Sequence, residues 1–387
     1  MNIVHISSMA PYNDGWGFQE NLLPKYHAKL GHKVTLVVPN KIHEGGKVAF
    51  CETGRFTSVG GFEVIRLPYK EYPLAQLTHI FWKLDVTELL WELDADVIFC
   101  HGLVSRTVLD IIKYVRMRKK QGRKCTLIQD NHLDYNIGTD PKTVKEKLLR
   151  GYYRLMNRRT QRYALKVYGV TPWRKQYAEE YYKISPEKTD VLIMGADDEM
   201  IDFSERDNIR REIRERYAVA DGDFLVVTGG KIDEKKKIHV LMEALGGKEK
   251  IKLLVFGNVS DDMKDAYDEL LRRFDNIISI GWIESGKVYD YFFAADLVCF
   301  PGQHSVLWEQ ACASKVPCLF ARWPGMDHVD NGGNSDFADE ISAESLARKI
   351  DELCFTEKYK KMKSVAASAA TDVYLYSKIA ERSLEGI

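Results

Sequence analysis

The strongest constraint on this chain is a pattern that occurs twice. Short apolar runs alternate with longer stretches of helical periodicity. Ile3 to Ile6 reads as a buried strand, Gln19 to Leu30 as a helix with Gly31 as its C-cap, and Lys33 to Pro39 as a second strand. Strand, helix and strand in immediate succession form the unit of a parallel sheet. Further strands are expected at Phe62–Arg66, Val97–Cys100, Cys125–Gln129 and Lys166–Val170. A second series starts with Phe224–Thr228 and a helix near Ile238–Ala244. It continues with Lys252–Phe256, Ile277–Ile280, Leu297–Phe300 and Val316–Phe320. Two such series imply an α/β protein of two doubly wound domains, 1–188 and 189–369, followed by a C-terminal helix within 370–387 that packs back on the first domain.

Composition narrows the function classes. Lys and Arg number 56 against 56 Asp and Glu, so the net charge is zero. A dedicated nucleic-acid binder is usually basic overall, and no nucleic-acid partner is expected. The seven cysteines form no Cys-x-x-Cys pair, and several lie inside apolar runs, which suits small buried thiols in a reducing compartment. The N-terminus lacks the basic start and apolar core of a signal peptide. No run approaches the roughly 20 apolar residues of a membrane span. The expected location is the cytoplasm. Two basic stretches, 111–124 and 142–166, add an expected peripheral contact with an anionic membrane at its inner face. The second holds nine Lys or Arg beside Tyr152, Tyr153, Leu155 and Met156 and reads as a basic amphipathic helix.

Three segments carry residues suited to chemistry. The first strand exits into Pro11–Phe18, where Gly15 and Gly17 let the backbone approach a phosphate or sugar before the next helix begins. The second series opens with Gly229-Gly230-Lys231-Ile232-Asp233, and Lys235, Lys236 and Lys237 follow. Lysines at a strand's C-terminal end suit a diphosphate. The spacing is not that of a Walker loop, because no Gly-Lys-Ser/Thr closes it. In Phe300–Ala313 a strand ends, a polar turn with Gln303 and His304 follows, and a helix starts near Ser305. Its first-turn carboxylate, Glu309, could accept both hydroxyls of a ribose. No His, Asp or Cys cluster has convincing metal spacing.

These segments, in their order along nearly the whole chain, resemble a retaining glycosyltransferase of family four, the group 1 type with GT-B architecture. The resemblance rests on Gly15, Gly17 and Leu30-Gly31-His32-Lys33-Val34; on Asp96–Gly102; on Val191–Asp197; on Gly230-Lys231-Ile232-Asp233 with Lys236; and on Ile280-Gly281-Trp282-Ile283. It implies two Rossmann-like domains facing a cleft, the first on the acceptor side and the second binding a nucleotide-sugar donor. Gly15, Gly17, Gly230, Lys231 and Lys236 would then meet the diphosphate. Gly281 and Ile283 would frame the base, Ser305 and Val306 would open the helix beside the phosphates, and Glu309 would hold the ribose. His132, with Gln303 and His304, would stand at the donor sugar as catalytic groups, and His101 and Asp130 at the sugar or acceptor. The sequence departs from the family in one respect. The family has two glutamates separated by seven residues, whereas the position eight before Glu309 is Pro301.

The implied reaction is transfer of a hexosyl or N-acetylhexosaminyl unit from a UDP- or GDP-type sugar to a hydroxyl of a saccharide or lipid-linked saccharide, in polysaccharide or glycolipid assembly. No nucleophile is evident, so front-face attack is expected, with the leaving diphosphate taking the acceptor's proton. Neither a cofactor nor a metal is required. Two alternatives remain: a GT-B sugar-nucleotide epimerase, and a non-catalytic sugar-nucleotide binding subunit. A plain NAD enzyme is disfavoured, because no Gly-x-Gly-x-x-Gly follows the first strand.

Overall fold

The computed structural model describes residues 1–135 and 143–387, with the backbone alone for Gln76. The chain divides into two compact units, Met1–Ile193 with Ile379–Ile387, and Met194–Lys378.

The first unit contains β1 (Asn2–Ser7), α1 (Gln19–Lys29), β2 (Lys33–Pro39), β3 (Lys41–Glu44), β4 (Lys47–Phe50), β5 (Gly54–Thr57), β6 (Glu63–Leu67), α2 (Ala75–Phe81) and α3 (Thr87–Glu92). It continues with β7 (Val97–His101), α4 (Thr107–Lys120), β8 (Thr126–Asn131), α5 (Val144–Thr160), β9 (Ala164–Gly169), α6 (Pro172–Tyr182) and β10 (Thr189–Val191). Its sheet runs β10-β9-β8-β7-β1-β2-β6-β5 and is parallel except for the β5–β6 pair. The central strands are mostly apolar because helices cover both faces; Ile3, Ile6, Leu36, Val37, Val97 and Ile98 are fully buried. Thr189–Val191 pairs with β9, so the first unit extends past residue 188.

Patterning alone does not reveal β3 and β4. They form a hairpin whose outer residues are exposed. Gly45 and Gly46 at its tip both have positive φ, as a tight primed turn demands.

The second unit contains α7 (Arg206–Arg216), β11 (Phe224–Gly229), α8 (Ile238–Leu245), β12 (Ile251–Phe256), α9 (Lys264–Arg273), β13 (Ile277–Gly281), α10 (Val288–Ala294) and β14 (Leu297–Phe300). It ends with α11 (Leu307–Ala313), β15 (Cys318–Ala321), β16 (Ser335–Ala338), α12 (Ala343–Asp351) and α13 (Glu357–Ala366). Its sheet order, β13-β12-β11-β14-β15-β16, is the doubly wound order in which strand direction of travel reverses at the first strand. Ligands in such sheets bind beyond the carboxyl ends of the strands at that reversal. Here that place lies beyond β11 and β14.

The expected single helix in 370–387 is instead a 3-10 turn, Ala369–Tyr374, and a short helix α14, Tyr376–Ser383. The break has a physical cause. The Tyr374 carbonyl accepts Ala196 N–H and Tyr376 N–H donates to the Ala196 carbonyl, so these groups bridge to the backbone of Ala196 instead of continuing a helix.

Candidate functional site

In the second unit, three strand exits meet at glycines. A Cβ on Gly257 would lie 1.7 Å from the Gly230 carbonyl oxygen, and one on Gly302 would lie 2.3 Å from the Lys236 carbonyl carbon. Only glycine permits this approach of backbone to backbone. Two further contacts tie the loops together: Gln303 N–H donates to the Lys235 carbonyl at 3.0 Å, and the Gly281 carbonyl accepts Gly257 N–H at 2.7 Å. Asp233 turns its carboxylate back on the amides of Lys235 and Lys236, each at 3.1 Å, and so sets the lysine-bearing turn.

These exits frame a cavity of about 470 Å³, with Gly230 and Gly257 in its wall beside Lys231, Asn258, Trp282, Ile283, Leu307 and Gln310. Gly230, Lys231 and Ile283 are thereby brought together as the sequence suggests. Lys231 projects into solvent with its ammonium 3.4 Å from Asp233 Oδ2, and Trp282 is 68% exposed. Lys236 is placed differently. Its ammonium donates to the carbonyls of Gln303 at 2.7 Å and His304 at 3.2 Å, and burial lowers its pKa. It therefore holds the Pro301–Ser305 turn and keeps one of its three donors for other use. Gly281 has a positive φ and does not line the cavity; its carbonyl holds the Gly257 amide that does.

Glu309 corrects the sequence reading. It is completely buried and does not line the cavity. Its Oε1 accepts from His304 Nε2 at 2.8 Å and His328 Nε2 at 2.7 Å. Burial works to raise the carboxyl pKa, yet the charge and hydrogen bonds of His304 and His328 outweigh it and hold the group well below its ordinary value. Successive helical residues point about 100° apart, so the next side chain, Gln310, faces the cavity. Sequence alone could not choose between adjacent positions. Ser305 and Val306 precede α11 and close its first turn through their carbonyls, which accept from Trp308 and Gln310 N–H at 3.0 Å each. Gln303 and His304 lie in that same turn.

In the first unit, parallel pairing sets Ser7 beside His101 and His101 beside Asp130 at the carboxyl ends of β1, β7 and β8. His101 Nδ1 lies 2.6 Å from Asp130 Oδ2, Gly102 N–H donates to Oδ1 at 2.9 Å, and His132 Nε2 lies 3.6 Å from the same Oδ1. Burial tends to raise the Asp130 pKa, but His101 and His132 outweigh it and hold the carboxyl far below its usual range. The His132 side chain is 33% exposed, so it is the accessible end of this group. His5 and His27, which no sequence pattern singles out, extend the group inward: His5 Nδ1 lies 3.0 Å from His101 Nε2, and His5 Nε2 lies 3.0 Å from His27 Nδ1. A polar residue inside the apolar run Ile3–Ile6 is the signal that could have marked His5.

The glycine loop after β1 is fixed by Asp14, whose carboxylate accepts Gly15 N–H at 3.1 Å and Val59 N–H at 3.0 Å. Gly15 has φ of +75°, whereas Gly17 has open space about it and no such constraint. Among the described residues, two groups, His101–Asp130–His132 and His304–Glu309–His328, bring ligand-type atoms within 4.8 Å of one another. In each the carboxylate is engaged by imidazole, and we read both as polar networks.

The basic stretches differ from one another. In 111–124 the helix ends at Lys120, and Arg118 is buried, paired with Asp94 and, at 3.4 Å, with Asp96. Arg123 also pairs with Asp94, at 2.6 Å, so this stretch is partly spent on structure. In 142–166, Lys142 lies outside the described residues, and Ala164–Lys166 belong to β9. The helix between, α5, starts at a Thr143–Glu146 capping box, buries Tyr153, Met156, Asn157 and Thr160, and exposes Val144, Leu148 and Leu155 among Lys145, Lys147, Arg154, Arg158 and Arg159. Among the described residues, no helix is long and apolar enough to cross a membrane.

Residues 209–369 match the family model described as glycosyl transferases group 1, and residues 23–195 match that described as glycosyl transferase 4-like domain. A glycosyltransferase from Rickettsia africae ESF-5 is similar in structure, with a TM-score of 0.68 and 16% identity, over 99% of this chain and 96% of that one. Anabaena Alr3699/HepE in complex with UDP has a TM-score of 0.66 and 16% identity, over 100% and 99%. WaaG, a glycosyltransferase involved in lipopolysaccharide biosynthesis, has 0.61 and 16%, over 99% and 100%. At such identities the likeness is one of fold. No curated protein matches the sequence.

Proposed function

Since this chain belongs to the group 1 glycosyltransferases of GT-B architecture, we propose that it moves a hexosyl or N-acetylhexosaminyl unit from a UDP- or GDP-type sugar to a hydroxyl acceptor, with retention of configuration. The observation that carries this reading is the cavity beyond β11, which Lys231, Trp282 and Gln310 line together with Gly230 and Gly257. An indole there offers a stacking face to a base, an ammonium offers charge to a diphosphate, and a carboxamide offers both a donor and an acceptor to ribose hydroxyls. UDP is the first nucleotide to try, because the similar HepE binds it.

In this reading Lys231, with the remaining donor of Lys236, stabilises the departing diphosphate, and these cations supply the charge without a metal. The leaving diphosphate takes the acceptor's proton on the face where it departs. Gln303 and His304 stand at the donor sugar in the turn that Lys236 and Glu309 hold. In the first unit, His132, backed by Asp130 and His101, is the group suited to bond a sugar hydroxyl. The exposed apolar and basic face of α5 supports a lipid-linked saccharide acceptor at an anionic membrane surface in the cytoplasm, and glycolipid or surface polysaccharide assembly as the setting. A thermal-shift screen with UDP, GDP and ADP tests the donor site. A ligand at 100 times its Kd adds about 2.7 kcal/mol, so one nucleotide should raise Tm in the wild type and not in Lys231→Ala. No shift with any of the three would overturn the reading.

A further inference from the structure

The buried histidines of the first unit form a continuous chain of hydrogen bonds. Asp130 Oδ2 meets His101 Nδ1 at 2.6 Å, His101 Nε2 meets His5 Nδ1 at 3.0 Å, His5 Nε2 meets His27 Nδ1 at 3.0 Å, and His27 Nε2 meets Ser383 Oγ at 2.8 Å. His5, His27 and Ser383 have no exposed surface, and Asp130 has 2%. The chain thus runs from the carboxyl end of β8, through the sheet and α1, to the C-terminal helix.

Counting hydrogens links the two ends. Each link needs one hydrogen, and three neutral imidazoles supply three. If the Ser383 hydroxyl donates to His27, all links are made with neutral rings, each hydrogen sitting on Nδ1. The same hydroxyl lies 2.8 Å from the Ala380 carbonyl. If it donates there, its oxygen must accept from His27 Nε2–H. The chain then holds four ring hydrogens: His27 and His5 carry theirs on Nε2, and His101 carries two. While His27 Nε2 is bonded to the Ser383 oxygen, the direction of that hydroxyl sets whether one more proton sits beside Asp130.

We propose that Ser383 is a positioning residue that, by donating to Ala380 and accepting from His27, holds His101 as an imidazolium against the Asp130 carboxylate. The alternative leaves Asp130 as an unbalanced buried charge, which is costly. Burial pulls the His101 pKa down, but Asp130, by charge and hydrogen bond, and Glu20 from α1 outweigh it and raise it. Burial lowers the pKa of His5, helped by His27 and His101, and that of His27, helped by His32 and opposed by a hydrogen bond to the Ala380 carbonyl, which itself favours hydrogen on the His27 ring; these rings stay neutral and carry the signal as tautomers. Gln19 and His132 are the other side chains that face Asp130. With its charge balanced from behind, Asp130 presents a neutral ensemble to His132. The use of that ensemble at the sugar rests on the function proposed above; the relay itself does not.

Long-range ¹H–¹⁵N spectra of the full chain labelled on its ten histidines, between pH 6 and 9, test the relay. At pH 7 His101 should carry hydrogen on both nitrogens, and His5 and His27 on Nε2 only. In Ser383→Ala the hydroxyl acceptor for His27 is lost and only the Ala380 carbonyl is left to it, so hydrogens should move to Nδ1 on both rings and the His101 titration should fall by about one pH unit, a tenfold change. Ser383→Thr should restore the wild-type pattern. The pH profile of transfer should move with His101 in Ser383→Ala while the Kd for UDP stays unchanged. Nδ1 tautomers in the wild type, or an unmoved His101 titration in Ser383→Ala, would overturn the proposal, whatever the nucleotide screen gives.

Discussion

Glu309 and Gln310 are adjacent, yet the structure gives them separate work, and a pair of substitutions should divide it. Glu309→Gln keeps the shape of the buried side chain and removes its charge. Two hydrogen bonds to a charged acceptor, worth about 1.5–3 kcal/mol each, become neutral ones worth about 0.5–1.5. The expected loss is about 2 kcal/mol. For a unit of this size that is roughly 4–8 °C in Tm. Nucleotide affinity of the folded protein should change less than about threefold, because Glu309 has no surface on the cavity. Gln310→Ala should do the reverse. It removes a half-buried side chain at the cavity wall, so Tm should move by less than about 2 °C, while UDP affinity should fall about tenfold for the loss of one or two hydrogen bonds. Calorimetric unfolding and titration with UDP measure both quantities on both variants. The reasoning fails if folded Glu309→Gln no longer binds UDP while Gln310→Ala binds normally.

Three other perturbations follow from the geometry. Gly257→Ala drives a Cβ to 1.7 Å from the Gly230 carbonyl oxygen at a φ of +125°; a loss of about 3 kcal/mol or more in urea unfolding is expected, and a loss below about 1 kcal/mol would show that the strand exits are not so tightly joined. The folded His27 pKa is lowered to about 3 and that of His5 lies well below normal, against about 6.5 unfolded. The stability these two contribute is complete above about pH 6.5 and is lost as pH falls below it. The raised pKa of His101 has the opposite sign, its contribution being lost as pH rises through the folded value. Two unmatched protons give a limiting slope of about 2.7 kcal/mol per pH unit, and His27→Gln should halve it; an equal slope in both proteins would contradict the burial argument. Wild-type protein should sediment with anionic vesicles and not with zwitterionic ones, and Leu148→Asp with Leu155→Asp should abolish this without loss of helix content; sedimentation unchanged by that double substitution would remove α5 from the contact.

The two series of buried parallel strands were legible because a strand covered on both faces must be mostly apolar, as β1, β2, β11 and β12 are. The β3–β4 hairpin was not, because its side chains are largely exposed and its residues carry no alternation. Gly230 and Lys231 could be placed at a strand exit because a glycine turn marks itself locally, whereas Ile283, which lines the same cavity, came only from the resemblance. The step from Glu309 to Gln310 could not, since one residue of helix phase decides which side chain meets the cavity. His5 and His27 acquire meaning only when the sheet brings His101 and Asp130 beside them. Basic residues in 111–124 looked free because Asp94 and Asp96, which hold Arg118, lie on a different element.

The measurement that bears most directly on the central claim is acceptor-dependent turnover. The protein should be incubated with UDP-sugars, with and without a lipid-linked saccharide extract, and the products read by anomeric ¹H NMR and by release of UDP. The account predicts UDP release that requires acceptor and a new glycosidic bond of the donor's own anomeric configuration. Conversion of the sugar nucleotide to an epimer without acceptor, or tight binding with no turnover under either condition, would contradict it.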